Sequence, residues 1–318
     1  MNKLNFFPLK IKTFTLGNII NDNIDCFLFG NNITNSFNFL YYFTLDIKNL
    51  NNNKIEKNNK FIKYWNFLPN KEINYILPLK YENNNNNNSI FIFDSQINKL
   101  NLNDNNNILI DDELYISPSI NNNKIFGIIN YQGLKIYNLE NNKYFILYPG
   151  KKNTINDYYV NDNNNNLIIS TSDKKLIDFD FRDKKTNISF KHKFSFDKII
   201  INDNDIICYS NDIEKILLYD VRNLNKYKDV IKDNVLINKM ILKENNLFYY
   251  DLNNNEIISI NIENKIEKCF EFNNNNNNNI EIKNFDFDLI NKKYFYIQNS
   301  DKEIIIYNNN NNNIKNNN

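Results

Sequence analysis

The chain has 318 residues, a formal net charge of +1, and a composition that is 42% hydrophobic and 14% aromatic. This apolar content is enough for a large core, which argues against global disorder, and the near-zero charge gives no electrostatic reason to expect nucleic-acid binding. No stretch reaches the ~18 consecutive apolar residues of a membrane span, and residues 1–10 contain no uninterrupted apolar run that suits a signal peptide. We therefore expect a soluble protein of the cytoplasm or nucleus, without membrane association.

The three cysteines, Cys26, Cys208 and Cys269, are odd in number and widely spaced. They lack the paired Cys-x-x-Cys spacing of a zinc site. We expect buried thiols in a reducing compartment.

A recurring landmark organises the chain: an apolar residue followed by Asp or Asn at the end of a strand-like run. Its seven positions are Leu45-Asp46, Phe93-Asp94, Tyr137-Asn138, Phe179-Asp180, Tyr219-Asp220, Ile260-Asn261 and Tyr307-Asn308. Successive Asx residues are 48, 44, 42, 40, 41 and 47 positions apart, and asparagine runs at 83–88 and 273–279 lie within the two longest gaps. A period near 40 is typical of a four-stranded propeller blade.

Short runs rich in Ile, Phe, Tyr and Val lie between the landmarks and are separated by Asn/Asp clusters, which is the pattern of strands and turns. The predicted strands of the fourth, fifth and sixth units are 155–160, 167–170, 176–181, 188–190, 198–201, 206–209, 216–221, 227–231, 237–242, 247–251, 256–262 and 266–272. Only five glycines are available, so the turns must use Asn and Asp, which also tolerate positive φ. No 12-residue segment shows helical periodicity. The predicted fold is all-β, a seven-bladed β-propeller.

The last predicted unit has no fourth strand of its own, because only residues 308–318 follow Tyr307 and most of these are Asn. A spare strand, roughly 6–16, precedes the first unit. Donating it to the last unit would close the ring and cover an exposed sheet edge. We expect one propeller domain over residues 1–307, closed by this N-terminal strand, and a disordered Asn-rich tail at 308–318. The Asn runs at 83–88 and 273–279 are expected to be disordered loops.

Residues 167–222 contain one pattern twice, and they include both arginines of the chain. Ser170-Thr171-Ser172-Asp173 precedes Phe179-Asp180-Phe181-Arg182, and Ser210-Asn211-Asp212 precedes Tyr219-Asp220-Val221-Arg222. In these residues the stretch resembles the WD40 repeat family, whose third strands end in Trp-Asp-x-Arg. The single histidine, His192, lies where that family has the second residue of its Gly-His pair, with Lys191 in place of the Gly. The structural positions that the resemblance implies are Asp173, Asp180, Arg182, His192, Ser210, Asp212, Asp220 and Arg222.

The resemblance implies a buried hydrogen-bond network of His, Ser, turn Asp and Trp in each blade. Phe179 and Tyr219 replace the Trp and cannot donate an indole N–H, so we expect an incomplete network. Arg182 and Arg222 are expected to cap third strands by binding backbone carbonyls or an acidic side chain of the adjacent blade; the alternative is a role in partner binding.

Candidate chemistry elsewhere has a structural alternative in each case. His192, flanked by lysines, is either a general base or a structural residue, and we favour the second. Cys208 is expected to be an inert buried thiol. Residues 202–205 superficially resemble a calcium loop but lack its Gly and distal Glu, which favours a hairpin turn. Two acids in 285–288 alternate with Phe, as on an amphipathic strand, and Trp65 is either a core residue or an interface anchor. We expect no catalytic residue, cofactor or metal.

A propeller without recognisable chemistry suits binding to several proteins, so the expected function is a non-catalytic scaffold within a multi-subunit complex, with no small-molecule ligand. Two alternatives stay open. The first is a peptide- or phosphopeptide-reading propeller, because the 167–240 region is similar to short WD proteins of spindle-checkpoint and nuclear-pore assemblies. The second is a propeller enzyme with an acidic central channel.

Overall fold

The structure of the chain is a computed structural model. The residues that the structure describes are 2–5, 9–20, 23–32, 38–46, 61–67, 75–78, 89–101, 106–121, 123–149, 153–160, 166–180, 185–202, 204–270, 282, 284–287, 294–298 and 303–308. The asparagine runs at 83–88 and 273–279 and residues 309–318 of the predicted tail lie outside this set.

All regular structure in the described residues is β-strand. The strands up to the middle of the chain are β1 Asn2–Asn5, β2 Leu9–Ile20, β3 Asn23–Asn32, β4 Asn38–Asp46, β5 Phe61–Phe67, β6 Tyr75–Pro78, β7 Ser89–Phe93, β8 Ile97–Asn101, β9 Asn107–Asp111, β10 Ile116–Asn121, β11 Lys124–Ile129, β12 Gly133–Asn138, β13 Lys143–Leu147 and β14 Ile155–Val160. The remaining strands are β15 Asn166–Thr171, β16 Lys175–Asp180, β17 Lys185–Lys191, β18 Lys198–Asn202, β19 Asp205–Ser210, β20 Lys215–Asp220, β21 Asp229–Lys232, β22 Ile237–Lys243, β23 Asn246–Asp251, β24 Glu256–Asn261, β25 Glu267–Phe270, β26 Asn284–Phe287, β27 Tyr294–Gln298 and β28 Glu303–Asn308.

The described strands pair into seven four-stranded antiparallel sheets. Six of these follow chain order, namely β2–β5, β6–β9, β10–β13, β14–β17, β18–β21 and β22–β25, and the seventh has the order β1-β28-β27-β26. The chain divides into two compact units, Met1–Tyr115 with Asn278–Asn313 and Ile116–Asn277 with Ile314–Asn318. Consecutive four-stranded meanders are the blades of a β-propeller, so the predictions of an all-β fold and of a propeller are confirmed.

Asparagine turns connect many strands, as the shortage of glycine predicted. Asn123, Asn142, Asn234 and Asn255 have φ between 53° and 57°, the left-handed region that Asn tolerates better than most residues. Charged residues occupy this region too, among them Lys174 with φ 68°. Turns on lysine or glutamate have no sequence signal of this kind.

Six of the seven predicted landmarks lie at the ends of third strands, and Phe93-Asp94 does not. Phe93 ends β7, the second strand of its sheet, and the third strand, β8, ends at Asn101. The Asp94 carboxylate accepts a hydrogen bond of 2.7 Å from the backbone N–H of Gln96 and so caps the β7–β8 turn. Since an Asx residue favours a turn after any strand, the landmark alone cannot distinguish the end of a second strand from the end of a third.

The amino-terminal segment does give a strand to the last sheet, but the predicted bounds of that strand are wrong. β1 pairs antiparallel with β28 from Asn2↔Ile306 to Asn5↔Glu303. Most of the predicted segment 6–16 belongs to β2 instead, which pairs with β3 along its length. β2 is 12 residues long and supplies Phe14 and Leu16 to the core, so its apolar face is better used as the first strand of its own sheet.

Apolar side chains fill the space between neighbouring sheets. In the first unit, Phe14 and Leu16 of β2 pack with Tyr296 of β27 and Ile304 of β28. In the second unit, one cluster joins Ile168 and Leu176 of the β14–β17 sheet to residues of the next sheet, among them Ile199, Ile206 and Leu217. Burial of aliphatic side chains on both faces stabilises these sheets at about 25 cal/mol per Å² of apolar area.

Buried tyrosine hydroxyls connect neighbouring sheets. Tyr296 donates to the carbonyl of Phe14 at 2.8 Å, and Tyr158 donates to the carbonyl of Ser117 at 2.6 Å. The Tyr209 hydroxyl accepts from the backbone N–H of Ile237 at 3.2 Å, across from β19 to the first strand of the next sheet. These bonds satisfy backbone groups that lie away from water.

We expect deletion of residues 2–5 to destabilise the protein. Without β1, β28 keeps only β27 as a neighbour and loses several ladder hydrogen bonds of about 1 kcal/mol each. The free energy of unfolding, measured by urea denaturation, should fall by about 2–4 kcal/mol. Lys3→Ala, which keeps the backbone of β1, is the control and should change stability little. Equal stability of the deletion variant and the wild type would show that β1 contributes no pairing energy.

Tyr209→Phe should lower the free energy of unfolding by about 1–3 kcal/mol, because it leaves the buried N–H of Ile237 without its acceptor. Tyr227→Phe is a matched control, since Tyr227 is exposed. Thermal denaturation of both variants tests this, and a smaller effect for Tyr209→Phe than for Tyr227→Phe would contradict the assignment.

Candidate functional site

One WD-like position of the β18–β21 sheet, Tyr219, lies against His192. Its ring lies edge-on to Phe196 and Tyr219, with centroid distances of 5.0 and 5.3 Å. Ser210 ends β19, and Asp212 lies in the turn that follows. Tyr219, the residue in the Trp position, is buried in this cluster. The structure therefore brings His192 to the residue that the resemblance pairs with it.

The polar network at these positions is incomplete. The buried atoms His192 Nε2 and Ser210 Oγ have no hydrogen-bond partner in the described part of the chain. Asp212 accepts hydrogen bonds from the N–H and the hydroxyl of Ser195, at 3.1 and 3.0 Å, which makes Ser195 the link between the turn and the preceding segment. Burial lowers the pKa of His192, so the ring is neutral at pH 7. The sequence pattern gave no signal for Ser195.

In the β14–β17 sheet, Asp173 forms a local turn contact. Its carboxylate accepts from the Thr171 hydroxyl at 2.6 Å and pairs with the Lys175 ammonium at 2.5 Å. Partial burial opposes ionisation of Asp173, but these two contacts outweigh it and lower the pKa. Asp180 is buried at the end of β16. Arg182 lies outside the described residues.

Arg222 binds its own strand end rather than an adjacent sheet. Its Nε donates to Asp220 Oδ1 at 3.0 Å and its Nη2 to Oδ2 at 2.8 Å, while its backbone N–H donates to Oδ1 at 2.8 Å. Hydrogen bonds from the Arg222 side chain, then from its backbone, lower the pKa of Asp220 to about 2. The guanidinium closes the turn after β20 and stays 78% exposed. Expecting an acceptor on the adjacent blade was wrong, because a bidentate acceptor is available two residues away.

The other candidates for chemistry, residues 202–205 and the three cysteines, lie within or between the strands of the sheets. Asn202 at the end of β18 pairs with Asp205 at the start of β19, which agrees with the hairpin interpretation of 202–205, and residue 203 lies outside the described residues. Cys208 and Cys26 are buried, and burial raises the pKa of both thiols well above the ordinary value. Cys269 is only half-buried, because it lies on β25, the fourth strand of its sheet.

Two further candidates are partly described. Trp65 lies on β5, but its side chain is outside the described part of the structure. In the acidic 285–288 segment, Phe285 is buried and Asp286 half-buried on β26, while residue 288 lies outside the described residues.

One small cavity lies between β10 and β14. Its volume is about 220 Å³, and its lining includes Ser117, Ser119 and Tyr158. The Tyr158 hydroxyl is 3.1 Å from Ser119 Oγ and also bonds backbone carbonyls. Pockets for drug-sized ligands are larger, about 300–1,000 Å³, and the polar groups here already bind one another.

Neither metal clusters nor membrane-spanning helices are found in the described parts of the chain. No three His, Cys, Asp or Glu side chains among the described residues form a group that could hold a metal ion. No helix in the same residues has the length and apolar character to cross a membrane.

Among the described residues, the most exposed aromatic side chains lie on or beside the β10–β13 sheet. Tyr131, Tyr144 and Tyr148 are 63%, 58% and 60% exposed. Tyr144 and Tyr148 point to the same face at the β13 edge, since side chains two and four apart share a face, and Tyr131 lies in the β11–β12 turn. We call these three residues the tyrosine surface. They carry no sequence signal, because a chain with 20 tyrosines gives no indication of which ones are exposed.

Tyr144 and Tyr148 of the tyrosine surface each have a close contact with β12. The Lys135 ammonium lies 4.1 Å from the centroid of the Tyr144 ring, although the lysine side chain itself is buried. Gly133 lets Tyr148 and Ile146 lie directly on the backbone of β12: a Cβ at this position would be 2.8 Å from Ile146 Cγ2 and 3.0 Å from Tyr148 Cε1. A cation–π contact and close backbone packing restrict ring motion, so little entropy is lost on binding.

Two carboxyl groups have raised pKa values. Burial raises the pKa of Asp25 to about 6, although the Tyr42 hydroxyl donates to it at 2.9 Å. Burial also raises the pKa of Asp157 to about 6, against the opposing effect of Lys198 and of the N–H of Ile199, which donates to its Oδ2 at 2.9 Å. Asp157 joins β14 to β18, the first strands of neighbouring sheets, so this bond is structural.

Asp25→Asn should stabilise the protein at pH 7–8 and have little effect near pH 4. The folded protein holds a proton on Asp25 that the unfolded chain releases, so wild-type stability falls as pH rises from about 4 to 6. Two pH units correspond to at most about 3 kcal/mol. Urea denaturation from pH 4 to 8 measures the difference. Asp220→Asn is the control of opposite sign, because the Asp220 pKa is lowered; parallel pH profiles for the Asp25 variant and the wild type would contradict the assignment.

No protein-family profile matches the chain, and no curated protein sequence matches it. Among solved structures the chain is similar to Raptor of Chaetomium thermophilum, with a TM-score of 0.69 and 11% sequence identity. The similarity covers 96% of this chain and 29% of the Raptor chain, so this chain spans less than a third of that neighbour's length. At 11% identity the likeness concerns the fold alone, and it extends over nearly the whole chain.

Proposed function

We propose that the chain is a non-catalytic scaffold subunit that binds other proteins within a multi-subunit complex. Its framework in this proposal is a divergent seven-bladed propeller of WD40 type, closed by the amino-terminal strand. The seven described sheets, the pairing of β1 with β28 and the WD-like cluster of His192 with Tyr219 support this framework.

The tyrosine surface is the observation that carries the proposal. Tyrosine is enriched at protein interfaces because one side chain offers a large apolar area and a polar hydroxyl. Tyr131, Tyr144 and Tyr148 are the three most exposed tyrosines among the described residues and belong to one sheet, so a partner could cover them together. The fixed positions of Tyr144 over Lys135 and of Tyr148 against Gly133 make them suitable anchors.

The non-catalytic assignment rests on the environment of the nucleophilic and basic side chains. His192 lies against two aromatic rings, with Nε2 buried, and the thiol of Cys208 is buried with a raised pKa. A catalytic base or nucleophile needs access to a substrate. Buried free thiols and a net charge of +1 support the cytoplasm or nucleus and a partner other than nucleic acid.

A peptide- or phosphopeptide-reading module is the second candidate, and the β20–β21 loop is the observation that favours it. Tyr227 is exposed there between Lys226 and Lys228, five residues after Arg222. However, Arg222 pairs with Asp220 and Lys228 with Asp205. A phosphate group would have to compete with these carboxylates for the two cations, which makes the scaffold the better-supported function.

Affinity purification of the tagged protein from its own cells should yield at least one stoichiometric protein partner. The double variant Tyr131→Ser/Tyr148→Ser, which leaves Tyr144 over Lys135, should bind that partner at least about tenfold more weakly, since a truncated anchor costs about 2 kcal/mol. The purified partner's affinity, measured by calorimetry, gives this number.

Tyr75→Ser/Tyr227→Ser is the matched control, because both residues are exposed tyrosines of other sheets. The control should bind the partner as the wild type does, and equal melting temperatures would exclude unfolding as the cause. Absence of any stoichiometric partner would overturn the scaffold proposal. Equal weakening by both double variants would overturn the assignment to the tyrosine surface.

A further inference from the structure

The fourth strand of the β6–β9 sheet differs from the other fourth strands. β9 has the sequence Asn-Ile-Leu-Ile-Asp, whereas each of β1, β5, β13, β17, β21 and β25 contains at least one lysine. Charged residues, lysine above all, protect sheet edges against pairing with further strands. β9 pairs with β8 alone among the described strands, so its outer edge carries no lysine and no described neighbour.

Exposed aliphatic side chains stand at this edge. Ile108 and Leu109 are each 54% exposed, more than any other aliphatic residue in the described part of the chain. Ile108 lies opposite Lys99 of β8 and Leu109 opposite Asn98, so the two side chains are on opposite faces of the sheet. A strand added at this edge would find an apolar contact on each face.

The end of β9 is fixed by buried contacts. The Asp111 carboxylate accepts from the backbone N–H of Glu113 at 3.2 Å and from the Tyr115 hydroxyl at 2.9 Å. Tyr115 is fully buried, with its ring centroid 6.5 Å from that of Phe93 on β7. The edge is therefore ordered before any partner arrives, which lowers the entropic cost of binding.

Acidic side chains lie at one end of this edge. Three consecutive carboxylates, Asp111, Asp112 and Glu113, end β9 and begin the following turn, and Asp112 is exposed. Asp111 and Glu113 already have partners in the protein, whereas the exposed carboxylate of Asp112 complements a basic side chain on an added strand.

We propose that the outer edge of β9 accepts an extended segment of a partner protein as a fifth strand of the β6–β9 sheet. The segment carries apolar side chains beside Ile108 and Leu109 and a Lys or Arg beside Asp112. In this mode of recognition, main-chain hydrogen bonds supply affinity and the side chains supply specificity. The inference rests on the proposed function as a protein-binding module, but it uses a surface separate from the tyrosine surface.

Random peptides of about ten residues, displayed on phage and selected on the immobilised full-length protein, test this proposal, because strands of five to six residues are sufficient to pair. Selected peptides should be rich in β-branched and aromatic residues and contain a Lys or Arg. In fluorescence anisotropy they should bind Leu109→Lys about tenfold more weakly than the wild type, because the apolar contact is lost and the edge gains a charge. Ile266→Lys, at an exposed aliphatic position of another sheet, should bind as the wild type does.

Two measurements need only the wild-type protein, so they test the proposal even if Leu109→Lys fails to fold. Peptide binding should slow hydrogen exchange at the amides of residues 107–110, and N-methylation of alternate peptide amides should abolish binding. The Tyr131→Ser/Tyr148→Ser variant should bind the peptides normally, so that loss of scaffold function and loss of edge binding are distinguishable.

Four outcomes would overturn the proposal. In the first, no selected peptide distinguishes wild type from Leu109→Lys or protects residues 107–110. In the second, N-methylated peptides bind equally well, which indicates recognition by side chains alone. In the third, the wild type forms a dimer that Leu109→Lys dissociates, so that a second copy occupies the edge. In the fourth, the amides of 107–110 are already protected in the isolated protein, so that the edge is covered by the chain itself.

Discussion

Face-to-face packing between neighbouring sheets is the interaction on which the rest of the structure depends. A sheet that lies between two other sheets is covered on both faces. Its second and third strands are therefore buried almost throughout, as in β16 and β19. Such strands are near-continuous apolar runs rather than alternating ones. The side chains of the fourth strands and the turns can vary without disturbing this packing. Tyr144 and Leu109 are exposed on such fourth strands. The same constraint that builds the core therefore leaves exposed side chains to the fourth strands and the turns.

Polar contacts between sheets add to this apolar packing and do not replace it. The buried hydroxyl of Tyr209 and the carboxylate of Asp157 each satisfy a backbone N–H of the next sheet, and leaving such a group unpaired costs about 1–3 kcal/mol. On the surface, Lys232 of β21 pairs with Glu267 of β25, and Asp229 of β21 pairs with Lys265, which precedes β25. Exposed ion pairs of this kind contribute about 0–1 kcal/mol each. His192 Nε2 has no hydrogen-bond partner among the described residues, but the ring of His192 packs against Phe196 and Tyr219.

The sequence predicted the all-β propeller class and the strands of the fourth to sixth units, because β-branched runs bounded by Asn turns have few alternative structures. It placed six landmarks at third-strand ends and failed at Phe93-Asp94, where Asp94 caps an earlier turn. It also predicted the wrong residues for the amino-terminal strand that joins the last sheet, since nothing in residues 1–16 indicates where one sheet ends and the next begins. For the candidate site, the meeting of His192 with Tyr219 was implied by the resemblance to WD40 repeats, whereas the partner of Arg222 and the exposure of Tyr131, Tyr144 and Tyr148 depend on tertiary packing. Such contacts leave no periodic signal.

The two proposed surfaces bind by different physical means, and this follows from what each edge offers. On the β10–β13 sheet, large rings held by Lys135 and Gly133 provide apolar area, and the backbone contributes little. On β9 the side chains are smaller, but the outer backbone groups lie beside exposed Ile108 and Leu109 without a described strand to pair with. Main-chain hydrogen bonding is insensitive to the partner's sequence, so in this proposal the selectivity comes from Ile108, Leu109 and the exposed carboxylate of Asp112. A scaffold of this kind would recognise a folded surface with its tyrosines and an unfolded segment with its sheet edge, and neither contact would require any change in the packing between sheets.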